Sequence, residues 1–401
     1  MTDALEGITV LDLTSHIAGP YATKLLADLG ARVIKVERPG GDPARALGPF
    51  LHDQPGPERS ATFQFLNTNK EAVVLDLKWA AARQVVYDLL PRVDLVVTGF
   101  PPAVAERLGM NPETLRARAD VPVLAITNFG RSGPYRDYAL SETALYAMGG
   151  EMFSHGLTEQ EPLKLGGTAA LLQCGAMAAI AALGAIHAWE AHRVGQVVDL
   201  ALFDVQINSV DRRSSAILGF RWTGRVLQRP LGPGGGLVGG VYPVADGFVE
   251  VTATFGNYWQ RFVEMVDDDR LREAKWQNPA WLIDPAAKEE ADGIVYPWML
   301  SRTRQQVWEA ARRAKAMVAP LFTAQDLVND PVLRERGLWT EIEHAVLGRV
   351  PMIGRPYVLE QTPWRIRTPA PLLGQHTEGV LRGLGYDDAR IADVMGQGVT
   401  A

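Results

Sequence analysis

The stretch GITVLDLTSHIAGPYATKLLADLGARVIKVERPGGDPAR, residues Gly7–Arg45, decides the fold. Ile8–Leu13 has the length and apolar content of a buried strand. Gly19-Pro20 then punctuates the chain, and Tyr21–Leu29 places its apolar residues at helical spacing. Ala31–Val36 (ARVIKV) repeats the strand pattern. A strand, a helix and a strand this close form a βαβ unit, whose crossover makes the two strands parallel. Outward from this stretch the texture continues. Strands are expected at Ala72–Leu75, Asp94–Val97, Pro122–Thr127 and Val197–Leu200, with a helix at Ala80–Leu90. The expected class is α/β, with a Rossmann-like parallel sheet.

Beyond Trp222 the pattern changes. Arg229–Gly240 (RPLGPGGGLVGG) reads as a glycine-rich loop, and it leads into short strands at Val241–Pro243 and Phe248–Val251 around the turn residues Asp246-Gly247. Helical segments follow to about Ala316. The organisation expected is a large Rossmann-like domain over residues 1–224, a smaller α+β domain over 225–330, and a linker with a return to the large domain over 331–401. Thr362–Pro371 is a proline-rich connection and Thr377–Leu384 a short helix.

The chain has 401 residues, 47% hydrophobic and 21% charged, the balance of an ordinary globular protein. Its net charge is -6 and no basic stripe runs through it, which argues against nucleic acid as a partner. The one cysteine, Cys174, excludes an intrachain disulfide. The N-terminal stretch lacks the basic and apolar regions of a secretory signal, and the apolar run Ala176–Ala188 reads as a buried helix too short to span a bilayer comfortably. A cytoplasmic protein without a membrane partner is expected. The histidines do not fall at metal-ligand spacing, so no metal is expected.

Three local features suit a ligand with phosphates. Gly19 opens a helix directly after a strand, where backbone N–H groups favour an anion. Arg38 follows the second strand, and Lys70 sits in the polar loop LNTNK before another. No GxGxxG follows the first strand, which disfavours a dinucleotide site of the usual kind.

In order along the chain, the opening stretch is followed by LNTNKEAVVLDLK, AERLGM, ITNFGRSGPY, GQVVDLALFD, VYPVADGFVEV, DLVNDPVLRERG and PAPLLGQHTEGVLRGLG. This series resembles the class III CoA-transferase family, which includes formyl-CoA and carnitine-CoA transferases and α-methylacyl-CoA racemases. The resemblance implies a large domain built from both termini, an inserted smaller domain and an interlocked dimer. It implies acyl-CoA and a carboxylic acid as substrates, with Arg38 and Lys70 helping to hold coenzyme A. The family's arginine-bearing segment is replaced here by Gly99-Phe100-Pro101-Pro102, which leaves Phe100 in place and passes the arginine's task to Arg107. The loop Gly232–Gly240 matches a mobile family loop that covers the reaction intermediate.

Transferases of this family attack the thioester with an aspartate, four residues before the glycine of a small-residue helix. Here that glycine is Gly175 and the position is Leu171; Gly166–Gly175 (GGTAALLQCG) contains no acid. Ile17 stands where formyl-CoA transferases carry an active-site glutamine. Ser141-Glu142 replaces the racemase His-Asp pair. Glu142 reads either as a helix-start residue favoured by the dipole or as a base in an apolar pocket. His16 reads either as a base or as a packed loop residue. Cys174 is the nucleophile nearest Leu171, and reads either as such or as a small buried apolar side chain. The resemblance is nearest in character to the aspartate-lacking subunit of heteromeric enzymes such as benzylsuccinate CoA-transferase. It implies a chain that works with a homologous aspartate-bearing subunit, with an aromatic succinate among the acids it could serve. The alternatives are a stand-alone transferase or acyl-CoA isomerase or dehydratase using Glu142 or His16, and a non-catalytic acyl-CoA-binding protein.

Overall fold

A computed structural model describes residues 2–208, 211–226, 228–229, 237–253, 256–278, 281 and 284–395. The chain divides into two compact units, Met1–Met152 with Lys164–Arg225 and Val332–Ala401, and Phe153–Leu163 with Val226–Pro331. Segment 153–163 belongs to the second unit, a contribution for which the sequence gives no signal.

The first unit carries a six-stranded sheet of β1 (Thr9–Leu13), β2 (Arg32–Glu37), β3 (Lys70–Val74), β4 (Leu95–Thr98), β5 (Val123–Thr127) and β6 (Val197–Ala201), in the order β3-β2-β1-β4-β5-β6. Every pairing is parallel. Because helices cover both faces, the strands read as continuous apolar runs instead of alternating ones. The two-residue period survives in the packing. Val10, Val33, Leu95 and Leu124 enter one core, and Leu11, Ile34, Val96 and Val123 the other.

The first core is covered by the helix Ala18–Asp28 and the long helix Ala169–His192. These approach closely because Gly175 has no side chain: a Cβ there would stand 2.6 Å from the Ala18 carbonyl oxygen. The run Ala176–Ala188 is therefore the middle of a longer helix of 24 residues, long and apolar enough to cross a membrane by length and composition. That corrects the expected length. Ala178, Ala182 and Ile186 are nonetheless buried in the first core. The second core is covered by Ala80–Leu89, Pro112–Ala119 and the C-terminal helices Thr377–Gly383 and Asp388–Val394.

Of the remaining strands, β7 (Val238–Val244), β8 (Gly247–Ala253) and β9 (Met317–Pro320) form the antiparallel sheet of the second unit. Tyr242, Val249 and Val251 of that sheet pack with Phe262, Val295 and Val307 from its helices. The expected loop Gly232–Gly240 ends in strand, since β7 begins at Val238; its residues 232–236 lie outside the described ones. In place of a plain linker after 331, β10 (Trp339–His344) and β11 (Gly348–Ile353) form a hairpin.

Candidate active site

In open α/β sheets ligands bind beyond the carboxyl ends of the strands, where the strand order reverses. Here the reversal lies between β1 and β4. Two cavities open there, one of about 620 Å³ and one of about 410 Å³. Thr14, Ser15 and Gly99 line both, so the cavities share one ridge.

Buried charges hold that ridge. Lys35 donates to the Thr14 carbonyl at 3.0 Å and pairs with Asp42 at 2.8 Å. Asp42 in turn accepts the His16 N–H at 2.9 Å, which fixes His16 in a left-handed backbone conformation (φ 74). Asp12 accepts from Thr14 and Thr23 and pairs with Lys70 at 3.2 Å. Burial opposes charge on Asp12, but Lys35, Lys70 and the two threonine hydroxyls outweigh it and bring the carboxyl down to about 2. Burial likewise opposes charge on Lys35, and Asp42, Asp12 and Glu37 more than compensate, raising its pKa. Glu37 binds Arg45 through both oxygens at 2.8 Å and accepts the Asp42 N–H, which shapes the loop after β2.

The smaller cavity is lined by Arg38, Lys78 and Arg107 together with Phe100, Leu75 and Val104. The three cations are exposed and form no ion pair among the described residues. Among the described residues Arg38 donates only to the Gly41 carbonyl, at 3.2 Å. Its acidic neighbours are engaged elsewhere: Glu37 with Arg45 and Asp42 with Lys35. Asp76 also lines the cavity and caps the Lys78 N–H at 3.1 Å, so three cations face one carboxylate outside an ion pair, and with an aromatic ring and aliphatic walls this suits a phosphate-bearing nucleotide.

Lys70 does not belong to this group. Its ammonium is enclosed by Asp12, the Pro20 carbonyl at 2.8 Å, Thr23 at 2.8 Å and Asn67 at 3.0 Å, and it lines neither cavity. Burial, partly offset by Asp12, pulls its pKa down to about 8. Lys70, which the resemblance assigns to coenzyme A, thus lies outside both cavities, and Lys78 is the lysine that lines the smaller one. The sequence carried a usable signal: Lys70 begins β3 whereas Lys78 follows it, and ligands gather at the carboxyl ends.

The larger cavity is mostly apolar, walled by Ile17, Ile126, Leu140, Leu145, Leu171 and Leu202. Ile17 and Leu171, distant in sequence, line it together. Gly19 lines this cavity and not the smaller one. A Cβ on Gly19 would stand 2.3 Å from the Thr14 Cβ, so glycine is needed here for close packing. The Ala18 and Gly19 amides open their helix and have no acceptor within it, which leaves two donors at the cavity. His16 also lines the cavity and is exposed.

Glu142 lines the cavity too, but its carboxylate is engaged. One oxygen accepts the Ala170 N–H at 3.2 Å, capping the long helix, and the other faces Lys164 at 3.4 Å. Burial and the nearby Glu142 push the Cys174 thiol up to about 12, which keeps it protonated and unreactive. Among the described residues no group of three or more His, Cys, Asp or Glu is placed to hold a metal ion.

A doubly wound sheet whose switch point joins a cationic cavity to an apolar one suits a ligand with a phosphate-bearing end and an apolar end. The model of CoA-transferase family III matches residues 5–377, and the chain belongs to that family. It is 28% identical over 404 residues to the succinyl-CoA:(R)-benzylsuccinate CoA-transferase subunit BbsE of Thauera aromatica, covering 97% of this chain and 96% of that one. It is 30% identical to the succinate–glutarate CoA-transferase of Agrobacterium fabrum over 95% of each chain. A CAIB/BAIF family protein from Brucella suis has the same fold, with a TM-score of 0.85 at 23% identity over 96% of this chain and all of the other.

Proposed function

We propose that this chain is the acyl-CoA-binding subunit of a heteromeric CoA-transferase, moving CoA between a thioester and a carboxylic acid, with the nucleophilic aspartate on a homologous partner. The observation that carries the reading is the larger cavity's wall. The position that the family resemblance assigns to aspartate is the buried Leu171, and the one enclosed carboxylate, Glu142, is held by a helix N-terminus and a lysine. Covalent transfer needs a carboxylate free to attack the thioester carbon. In this reading Arg38, Lys78 and Arg107 hold the phosphates, Phe100 packs on the nucleotide, and the Ala18 and Gly19 amides face the thioester oxygen. A pairing of interlocked subunits in the cytoplasm, and an aromatic succinate as acid, belong to the same proposal.

A second reading, stand-alone catalysis, has His16 in its favour, since it is exposed on the cavity wall in a left-handed backbone conformation. The deciding experiment measures CoA transfer from succinyl-CoA to benzylsuccinate by the purified chain, alone and with the homologous protein that co-purifies with it. The proposal expects CoA binding without turnover alone, and turnover in the pair. Full turnover by the single chain, abolished in His16→Ala, would establish the second reading instead.

A further inference from the structure

We propose that His16 is a specificity-determining residue whose imidazole receives the second carboxylate of a dicarboxylic acyl group, the one not joined to CoA. This deepens the reading of the chain as an acyl-CoA-binding subunit and rests on it, since the thioester must reach from the smaller cavity across the Thr14–Ser15 ridge into the larger one.

Position is the first argument. Ser15 lines both cavities and His16 only the larger, and the Ala18 and Gly19 amides that face the thioester oxygen in this reading open the helix that follows. The imidazole is exposed on that wall and makes no hydrogen bond or ion pair among the described residues. A short acyl chain anchored at the helix start keeps its far end close to this loop.

The backbone is the second argument. His16 stands at φ 74, a left-handed conformation that glycine adopts freely and a residue with a Cβ does not. It is held there by the buried Asp42, which accepts the His16 N–H at 2.9 Å and the Ala44 N–H at 2.8 Å and is itself fixed by Lys35 at 2.8 Å. The imidazole thus rides on a rigid base, at a point where glycine would meet the backbone's need more easily. A side chain kept on a strained backbone in a ligand cavity points to use.

Charge is the third argument. Besides His16, the ionisable groups on the larger cavity's wall are Arg136, Asp137, Tyr138 and Glu142. Arg136 pairs with Glu106 and Asp137, and Glu142 pairs with Lys164. Among the described residues His16 is therefore the wall's one basic side chain not engaged with an acid. Ser15, Asn128, Tyr138 and Ser141 add neutral polar groups. A carboxylate entering a mostly apolar cavity must exchange its hydration for donors. Imidazole meets it through a neutral N–H or, once protonated, as a cation, and either bond is charge-assisted.

The test is calorimetric titration of the full chain with free CoA, succinyl-CoA and butyryl-CoA, two thioesters of equal chain length that differ in a terminal carboxylate against a methyl group. Succinyl-CoA should bind about tenfold or more tighter than butyryl-CoA, the worth of one charge-assisted hydrogen bond. His16→Gly, which suits the left-handed backbone, should bring that ratio near one while free-CoA affinity and the unfolding midpoint stay as they were. His16→Asn tolerates the same backbone and lacks the imidazole, so the ratio should fall there too, which separates the side chain from the loop's conformation. Butyryl-CoA bound as tightly as succinyl-CoA, with free CoA still bound, would overturn this inference and leave the CoA reading intact. So would a preference for succinyl-CoA that survives in both variants, since neutral donors would then hold the carboxylate. Failure to bind free CoA would overturn both readings.

Discussion

Two lysines eight residues apart stand in opposite settings. Lys70 is sealed among Asp12, Thr23, Asn67 and a backbone carbonyl, whereas Lys78 is exposed beside Arg38 and Arg107. Removing one partner of a buried ion pair leaves the other charged and unsatisfied, which costs about 3–5 kcal/mol. Lys70→Met should therefore lower unfolding stability by about that much. Lys78→Ala should leave the unfolding midpoint unchanged but weaken CoA binding about tenfold, the loss of one charge-assisted hydrogen bond. Urea unfolding and calorimetric CoA titration of both variants check this; a stable Lys70→Met protein that has lost CoA affinity would reverse the assignment. Glu142 is decided by the same logic. As a helix cap it should cost about 1 kcal/mol of stability when changed to Gln, because the amide oxygen still accepts the Ala170 N–H but carries no charge for the helix dipole or Lys164. A collapse of the paired enzyme's turnover in Glu142→Gln, with stability unchanged, would instead return Glu142 to the chemistry.

At the scale of elements, the ridge between the cavities depends on β1 and the helix after it. Asp12, in β1, has an ordinary carboxyl pKa of 3.8 and is held at about 2 in the fold. Its contribution, on the order of 2 kcal/mol, is present above the ordinary value and is lost as pH falls through that value toward 2. Unfolding free energies measured between pH 6 and pH 2 should decline steeply at the acid end. Asp12→Asn should be less stable at neutral pH and flatter at the acid end, and an equally steep variant would assign the decline to other groups. The same helix meets the long helix at Gly175, where a methyl group would press on the Ala18 carbonyl at 2.6 Å and on Tyr21 at 3.1 Å. Gly175→Ala should destabilise by about 1–3 kcal/mol, read from urea unfolding. Elements of this kind were legible in the sequence because strand, turn and helix signals are local: β1, β2 and β5 fall within a residue of their expected ends. The hairpin of β10 and β11 and the short strand β9 were not legible, since long-range or hairpin pairing, and not composition, makes them strands. The apolar partnership of Ile17 and Leu171 was anticipated from the family resemblance, whereas the place of Lys78 on the smaller cavity was not, because it depends on which end of a strand a lysine follows.

At the scale of the whole molecule, the two ends of the chain complete one unit, and the C-terminal segment does so at the sheet's open edge. β3 is an edge strand, and edge strands leave backbone groups without partners. Here the Ala72 N–H donates to His376 Nδ1 at 3.1 Å and the Val74 N–H to Thr377 Oγ1 at 3.1 Å. Burial lowers the His376 pKa, so the ring nitrogen stays unprotonated and able to accept. Beyond this hook, Val380, Leu381, Ile391 and Val394 fill the second core against Val73 and Val86. Just before it, the Pro371 carbonyl accepts from Arg45 at 3.1 Å and the Leu373 N–H donates to Glu58, tying the return segment to the loop beside the smaller cavity. The C-terminal segment should therefore be part of one cooperative unfolding unit with the CoA site. Leu381→Ala should lower stability by about 2–5 kcal/mol, and saturating CoA should raise the unfolding midpoint of both proteins, since ligand binds only the folded form. Deletion of residues 377–395 should expose Val73 and Val86 and leave a chain that neither unfolds cooperatively nor binds CoA. If that shortened chain kept the parent's unfolding midpoint and CoA affinity, the C-terminal helices would be an appendage, and the sheet's edge would need some other cover.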